Sequence, residues 1–145
     1  MRKAQPILTA AAVLALGTAA HADPCKAIPD RGPLPPYLHQ GAQFSGPVVY
    51  VGDGDGLCVA AERGRERDPQ TWVEVRLADF YAPELHEAGG AEAKAALVRL
   101  AMGRKARCVA GHRSHDRIVA ACSIRGRDVG DLMREAGIAE GGRGR

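Results

Sequence analysis

Residues 46–61, with the sequence GPVVYVGDGDGLCVAA, predict a β-hairpin. Two apolar runs, 47–51 and 57–61, have the β-branched composition and the length of strands. The GDGDG segment between them predicts a tight turn, because glycine readily adopts the backbone conformations that turns require. The hairpin therefore indicates a β-rich domain whose first turn presents two carboxylates, Asp53 and Asp55.

The rest of the chain adds one strand, a helix, two strands and a second helix. A third strand is predicted at 72–80, where Val73, Val75 and Leu77 alternate with Glu74, Arg76 and Ala78. The later elements are a helix at 90–102, strands at 105–110 and 118–124, and a helix between Asp128 and the stop at Gly137. Because helices and strands do not alternate regularly, the order β-β-β-α-β-β-α favours a small closed or partly open barrel with two packed helices.

The N-terminal 22 residues have the pattern of a secretory signal peptide. Arg2 and Lys3 precede the apolar run 7–16, and Ala20-His21-Ala22 fits the small-x-small cleavage rule. The apolar run is too short for a transmembrane anchor, which needs about 20 residues. We therefore expect cleavage after Ala22, which leaves 123 of the 145 residues. The product is expected to be periplasmic or secreted, without a membrane anchor.

The remaining chain divides into an arm, a domain and a tail. Residues 23–41 are rich in proline and predict an extended arm that contributes little to the core except through Cys25. Residues 42–140 are expected to form the one folded domain, since the length leaves no room for a second. Residues 141–145 are expected to be a flexible tail.

Four cysteines follow the predicted cleavage site, an even number that indicates two disulfides in an oxidising compartment. The four cysteines contain no C-x-x-C spacing, the pattern that would indicate a zinc site or redox chemistry. Three pairings are possible. Cys108 and Cys122 could pair across a hairpin whose polar turn is predicted at 112–115, which would leave Cys25 for Cys58.

Charge is distributed unevenly along the chain. The whole sequence carries a net charge of +3, which falls to +1 once Arg2 and Lys3 are removed with the signal peptide. Residues 23–98 are net −5, whereas residues 99–127 hold eight basic side chains and one acidic one, net +7. The low aromatic content of 4% argues against a base-stacking platform for single strands.

Five residues could carry chemistry: Asp53, Asp55, Arg76, Glu84 and Arg117. Each has a common structural explanation, since aspartates cap turns and arginines on alternating strands face solvent. Together they provide carboxylates for a hard cation, two arginines for a phosphate and one further carboxylate. That combination is typical of phosphodiester hydrolysis.

Four segments resemble the thermonuclease family, whose members are similar to staphylococcal nuclease. They are GPVVYVGDGD at 46–55, VRLADFYAPE at 75–84, DRIVA at 116–120 and DVGDLMREAGIA at 128–139. The similarity covers residues 44–139, in order and with matching element types. The chain is thus identified as a divergent exported member of that family.

The resemblance implies a β-rich α+β fold, a five-stranded OB-type barrel, and a nuclease that cleaves DNA or RNA with calcium. It implies that Asp55 is a calcium ligand and that Asp53 is a neighbouring outer carboxylate. Arg76 and Arg117 would bind the phosphate and its transition-state charge, a task suited to planar guanidinium groups. Glu84 would orient or deprotonate the attacking water. The partner would be nucleic acid, and no protein partner is indicated.

Three positions depart from the family pattern. Tyr81 stands where the family has its second metal-binding aspartate, Gly56 where it has a hydroxyl side chain, and Ala82 where well-known members have threonine. A phenol, with a pKa of about 10, is a poor ligand for a hard cation at neutral pH. We therefore expect a weakened or lost calcium site, or another divalent ion. Asp79 and Asp53 are the nearest carboxylates that could compensate.

Two other hypotheses stay open at this point. One is a catalytically impaired OB-fold module that binds nucleic acid or another polyanion through residues 99–127. The other is a disulfide-stapled scaffold for a protein partner, for which the sequence offers no positive feature.

Overall fold

Five strands close into a barrel in the computed structural model, which describes residues 23–141. β2 and β4 flank β1, β3 follows β2, and β5 follows β4, all in antiparallel pairs. A parallel pairing of β3 with β5 closes the barrel. The strands are β1 Gln43–Val51, β2 Gly56–Ala60, β3 Trp72–Leu77, β4 Lys105–Ser114 and β5 Arg117–Ile124.

Two helices pack on this barrel, α1 Gly90–Ala101 and α2 Val129–Glu135. The predicted OB-type α+β fold is therefore confirmed. The two-residue strand β6, Arg127–Asp128, extends the sheet beside β5 and was not predicted. The predicted signal peptide, residues 1–22, and residues 142–145 of the predicted tail lie outside the described residues.

β1 begins earlier than the predicted start at residue 47 because it pairs with two strands, β4 and β2. Residues 43–47 pair with β4, and residues 48–51 pair with β2. A side chain at Gly46 would place its Cβ 1.8 Å from the carbonyl oxygen of Ala60. Glycine therefore lets the strand cross from one set of partners to the other.

The β4–β5 hairpin is longer than predicted. β4 runs to Ser114 instead of ending at Ala110, and the turn is made by His115 and Asp116. A shift in register between Ala110 and Arg113 keeps the polar residues in the strand. The predicted turn at 112–115 was therefore placed too early, because polar composition alone does not end a strand whose ladder continues.

The N-terminal arm contributes more to the core than predicted. Ile28 and Leu38 are buried in the same apolar cluster as the barrel residues, so the contribution of the arm is not confined to Cys25. The Lys26 amide donates to Pro69 O, and the Arg113 guanidinium donates to the arm carbonyls. Proline-rich composition predicts local extension but not whether the extended chain has a surface to pack against.

The two disulfides have one of the three possible pairings, Cys25–Cys58 and Cys108–Cys122. The first joins the arm to β2, and the second joins β4 to β5. Their sequence separations of 33 and 14 correspond to about 3–4 kcal/mol of stabilisation each. Two disulfides indicate a protein adapted to an oxidising environment. Within residues 23–141 no helix is long and apolar enough to cross a membrane.

Candidate active site

The glycine-rich turn between β1 and β2 is pressed against the start of α1. A Cβ at Gly54 would lie 2.4 Å from the Cβ of Ala82 and 2.5 Å from that of Ala93. Only glycine permits this approach, which moves the next residue, Asp55, under the segment that follows β3. The local sequence thus sets where the turn forms, but its contact with α1 sets its position relative to the segment after β3.

Asp55 is fixed through both its backbone and its side chain. Its carbonyl accepts the Leu77 amide at 2.8 Å, and its amide donates to Asp53 Oδ1 at 3.1 Å. Asp55 Oδ2 accepts the buried Ala82 amide at 3.0 Å. Asp55 is only 7% exposed, so the turn holds a carboxylate almost out of water.

The charge on Asp55 is only partly neutralised. Nη2 of Arg76 lies 4.0 Å from Asp55 Oδ2, within the range of an ion pair. Burial, followed by the nearby Asp53 charge, raises the pKa of Asp55 to about 6, whereas the Ala82 amide and Arg76 act in the opposite direction. The site therefore contains a carboxylate whose charged form is disfavoured by burial and by Asp53. Such perturbed groups are common in functional sites.

Arg76 projects from the outer face of β3, as its alternation with buried Val75 and Leu77 predicted. Its side chain is 22% exposed, and its Cζ lies 5.7 Å from the centre of the Tyr81 ring. At this distance the aromatic ring attracts the guanidinium charge. Tyr81 thus contacts an arginine at the position where the resemblance places a metal ligand.

Arg117 lies on the strand next to Arg76. β5 runs parallel to β3 with Arg76 opposite Val119, so Arg117 is two residues away along the neighbouring strand. In β5 the buried residues alternate with partly exposed ones, and Arg117 belongs to the outward set with Val119. The two predicted phosphate-binding arginines therefore lie on one outer surface, brought together by the pairing that closes the barrel.

Glu84 follows the segment that covers Asp55. Its amide donates to Glu87 Oε2 at 3.0 Å, and its carbonyl accepts the Glu87 amide at 2.8 Å. A Cβ at Gly90 would lie 2.0 Å from the Glu84 carbonyl oxygen, so the start of α1 also restrains this backbone. Within residues 23–141 no hydrogen bond or ion pair joins the Glu84 carboxylate to Asp55, Arg76 or Arg117.

Asp79 is held against the start of α2. Its Oδ2 accepts the Gly130 amide at 3.0 Å, in the first turn of α2, and burial raises the pKa of its carboxyl. A Cβ at Gly130 would lie 2.4 Å from Asp79 Oδ2. Asp79 therefore anchors α2 to the end of β3, a role that strand alternation alone could not indicate.

Glu74 is a charged residue of this surface that the motif analysis left out. It lies on the outer face of β3, two residues before Arg76, and forms a carboxylate cluster with Asp23 and Asp116 in which one oxygen of each lies within 4.8 Å of the others. Burial, then the charges of Asp23 and Asp116, raises the pKa of Glu74 to about 7, and Arg117 opposes this. The predicted alternation of β3 placed Glu74 beside Arg76, but only the folded arm brings Asp23 to it.

The Glu74 carboxyl makes stability depend on pH. Its ordinary pKa is 4.5 and its pKa in the folded protein is about 7, so between these values the folded state binds more protons than the unfolded state. The free energy of unfolding should therefore fall as pH rises from about 4.5 to about 7. We expect Glu74→Gln to be more stable than the parent at pH 8 and to show a shallower decline in urea unfolding. Glu92→Gln, at an exposed site on α1, is the matched control, and an unchanged decline in Glu74→Gln would contradict this assignment.

The acidic side chains around Asp55 do not by themselves make up a calcium site. Calcium takes six to eight oxygens, but no group of three metal-binding side chains among the described residues includes Asp55 or Asp53. One oxygen of each of these carboxylates already accepts a backbone amide. The pair instead matches the sparse donor set with which proteins hold magnesium, one or two carboxylates completed by water and substrate phosphates.

Comparisons with known proteins found no match, either to a model of a protein family or to a curated protein.

Proposed function

We propose that this chain is an exported nuclease that hydrolyses phosphodiester bonds of DNA or RNA. The observation that carries the proposal is the buried Asp55 carboxylate 4.0 Å from Arg76, with Arg117 on the same outer surface of the adjacent strand. The buried Asp55 carboxylate is only partly neutralised by Arg76, and its charge is therefore retained at a cost to the fold. A phosphate bound between those arginines would give this arrangement a purpose.

The chemistry follows from the side chains. Arg76 and Arg117 bind the non-bridging oxygens and stabilise the charge that builds up on them in the transition state. Glu84 takes a proton from water as the water oxygen bonds to phosphorus, and the bond to the leaving oxygen breaks as that oxygen takes a proton from solvent. Asp55 holds the Arg76 guanidinium in position, which limits the conformational freedom lost when the phosphate binds. A divalent ion, calcium or the magnesium that the donor set fits better, would supply Lewis acidity beside Asp55.

Export through a signal peptide at residues 1–22 belongs to the same proposal. The two disulfides support it, because they form and persist in oxidising compartments. The protein would act in the periplasm or outside the cell on nucleic acid.

The function is tested by digesting DNA and RNA with the purified mature chain. Calcium, magnesium and manganese are supplied separately, and a chelator is used as the fourth condition. We expect cleavage that exceeds that of an Arg76→Ala/Glu84→Ala variant prepared in the same way. If cleavage is no faster than in this variant under all four conditions, the nuclease proposal is wrong.

The second candidate is a catalytically impaired module that binds nucleic acid. Tyr81 against Arg76, and the shortage of carboxylates around Asp55, favour it. This candidate predicts salt-dependent binding without cleavage, because phosphate contacts release counterions.

A further inference from the structure

A groove at the end of the β4–β5 hairpin opposite its turn is lined by charged side chains of positive sign only. It lies between the α1–β4 connection and the β5–β6 turn and has a volume of about 530 Å³. Four of its lining residues are basic, namely Arg104, Lys105, Arg107 and Arg125, and none is acidic. All four are exposed. We call this set the basic groove.

The cations of the basic groove are not used within the chain. Among residues 23–141 none of the four forms an ion pair or a side-chain hydrogen bond. The neighbouring Arg127, by contrast, is paired with Glu135. Four unpaired like charges repel one another, so their convergence favours an anionic partner.

The backbone conformation of Arg125 also supports an anionic partner for the basic groove. Arg125 has a φ of 53°, in the left-handed region, which residues other than glycine and asparagine rarely adopt. Gly126 follows with a φ of 78°. The turn thus holds an arginine where glycine would be easier, and this side chain lines the groove.

A path of small neutral side chains connects the basic groove to Arg117. The outward residues of β5 between the two are Val119, Ala121 and Ser123, whereas Ile118, Ala120, Cys122 and Ile124 are buried. Arg117 and Arg125 are separated by eight residues, roughly 26 Å at the rise of a strand. That length corresponds to about eight nucleotides of one strand of a duplex. Two acidic residues border the path: Asp128 lies beside Ser123, and Glu74 of β3 lies beside Arg117 at the other end.

We propose that the basic groove binds the phosphates of a nucleic-acid strand that runs along β5 from Arg117. This inference rests on the proposed function, which assigns phosphate binding to Arg117. The basic groove adds a second contact with the same strand, which makes long nucleic acid a better ligand than short oligonucleotides. The groove provides affinity and no chemistry, since its lining holds neither a carboxylate nor a histidine.

The test is binding of a fluorescent DNA duplex of about 20 base pairs, measured in chelator at several salt concentrations. Lys105→Glu/Arg107→Glu is compared with Lys26→Glu/Arg67→Glu, which makes the same change of charge at exposed sites outside the groove. We expect the groove variant to bind at least about tenfold more weakly than the control, with a salt slope smaller by about two. The difference between the variants should be smaller for a trinucleotide, which can contact the groove or Arg117 but cannot span the path between them.

Several outcomes would overturn the proposal. Duplex affinities within twofold of each other in folded variants would do so, as would a loss that is equal for the duplex and the trinucleotide. Binding to phosphatidylglycerol vesicles without any binding to DNA would assign the groove to a membrane instead. If the charge reversals lower the melting temperature, Arg104→Gln/Arg125→Gly repeats the test without adding negative charge. Absence of cleavage with groove-dependent binding would contradict the proposed nuclease but not the groove.

Discussion

Replacing Arg76 by alanine is expected to lower the rate of phosphodiester hydrolysis by about a thousandfold. The guanidinium lies 4.0 Å from Asp55 and 5.7 Å from the centre of the Tyr81 ring, so it is oriented before substrate arrives. Removal of one preorganised donor to a transition-state charge costs about 10²–10³ in rate, and removal of an arginine on a transferring phosphoryl group costs about 10³–10⁵. The loss should appear mainly in kcat, since the charge develops as the bond breaks.

Two further variants separate this role from a general loss of charge. Arg76→Lys keeps the positive charge but loses the planar fork, and it should recover only a small part of the activity. Arg67→Ala removes an exposed arginine outside the site and should leave the rate unchanged. A melting temperature of Arg76→Ala close to that of the parent shows that the site, not the fold, was damaged. Hydrolysis by Arg76→Ala within tenfold of the parent would exclude Arg76 from the reaction.

Replacing Asp55 by asparagine is expected to abolish cleavage while making the protein more stable at pH 8. Asparagine keeps an oxygen for the Ala82 amide but removes a charge from a buried position. The pKa of Asp55 rises from its ordinary 3.8 to about 6, chiefly by burial, so the ionised form is disfavoured in the folded protein. Its destabilising effect should appear as pH rises through that interval and should amount to about 1–2 kcal/mol at pH 8 after solvent screening is allowed for.

Urea unfolding in chelator at pH 4 and pH 8 measures this effect. Asp55→Asn should gain stability at pH 8 and little at pH 4, where the parent carboxyl is protonated. Asp30→Asn, at an exposed position in the arm, is the control and should change neither value appreciably. If Asp55→Asn is less stable than the parent at pH 8, the carboxylate is a structural anchor and the functional interpretation fails.

The opposite signs expected for activity and stability at Asp55 distinguish a functional residue from a structural one. A residue that only holds the turn would lose both on substitution. Active sites often retain groups that destabilise the fold, and substitution of such groups commonly stabilises the protein at the expense of activity. Arg76 and Asp55 therefore give independent tests of one site.

Much of the barrel was predictable because strand periodicity is a local property. The alternation in β3 gave its buried face correctly, and the GDGDG segment gave the first turn. Errors were concentrated at ends: β4 continues past Ala110, and β3 stops at Leu77 although Phe80 is buried. Strand ends depend on whether a partner strand continues, which no local pattern contains.

The sequence by itself determined the order of elements, the outward position of Arg76, and the unequal distribution of charge between residues 23–98 and 99–127. These properties follow from side-chain periodicity and composition. Only the tertiary structure decided that β3 and β5 pair in parallel, which places Arg117 beside Arg76. It also brought Asp23 to Glu74 and gathered four basic residues from both sides of the β4–β5 hairpin into one groove. Those contacts depend on barrel closure and on disulfides between residues that are distant in sequence. No local stretch of sequence contains the interactions that stabilise them.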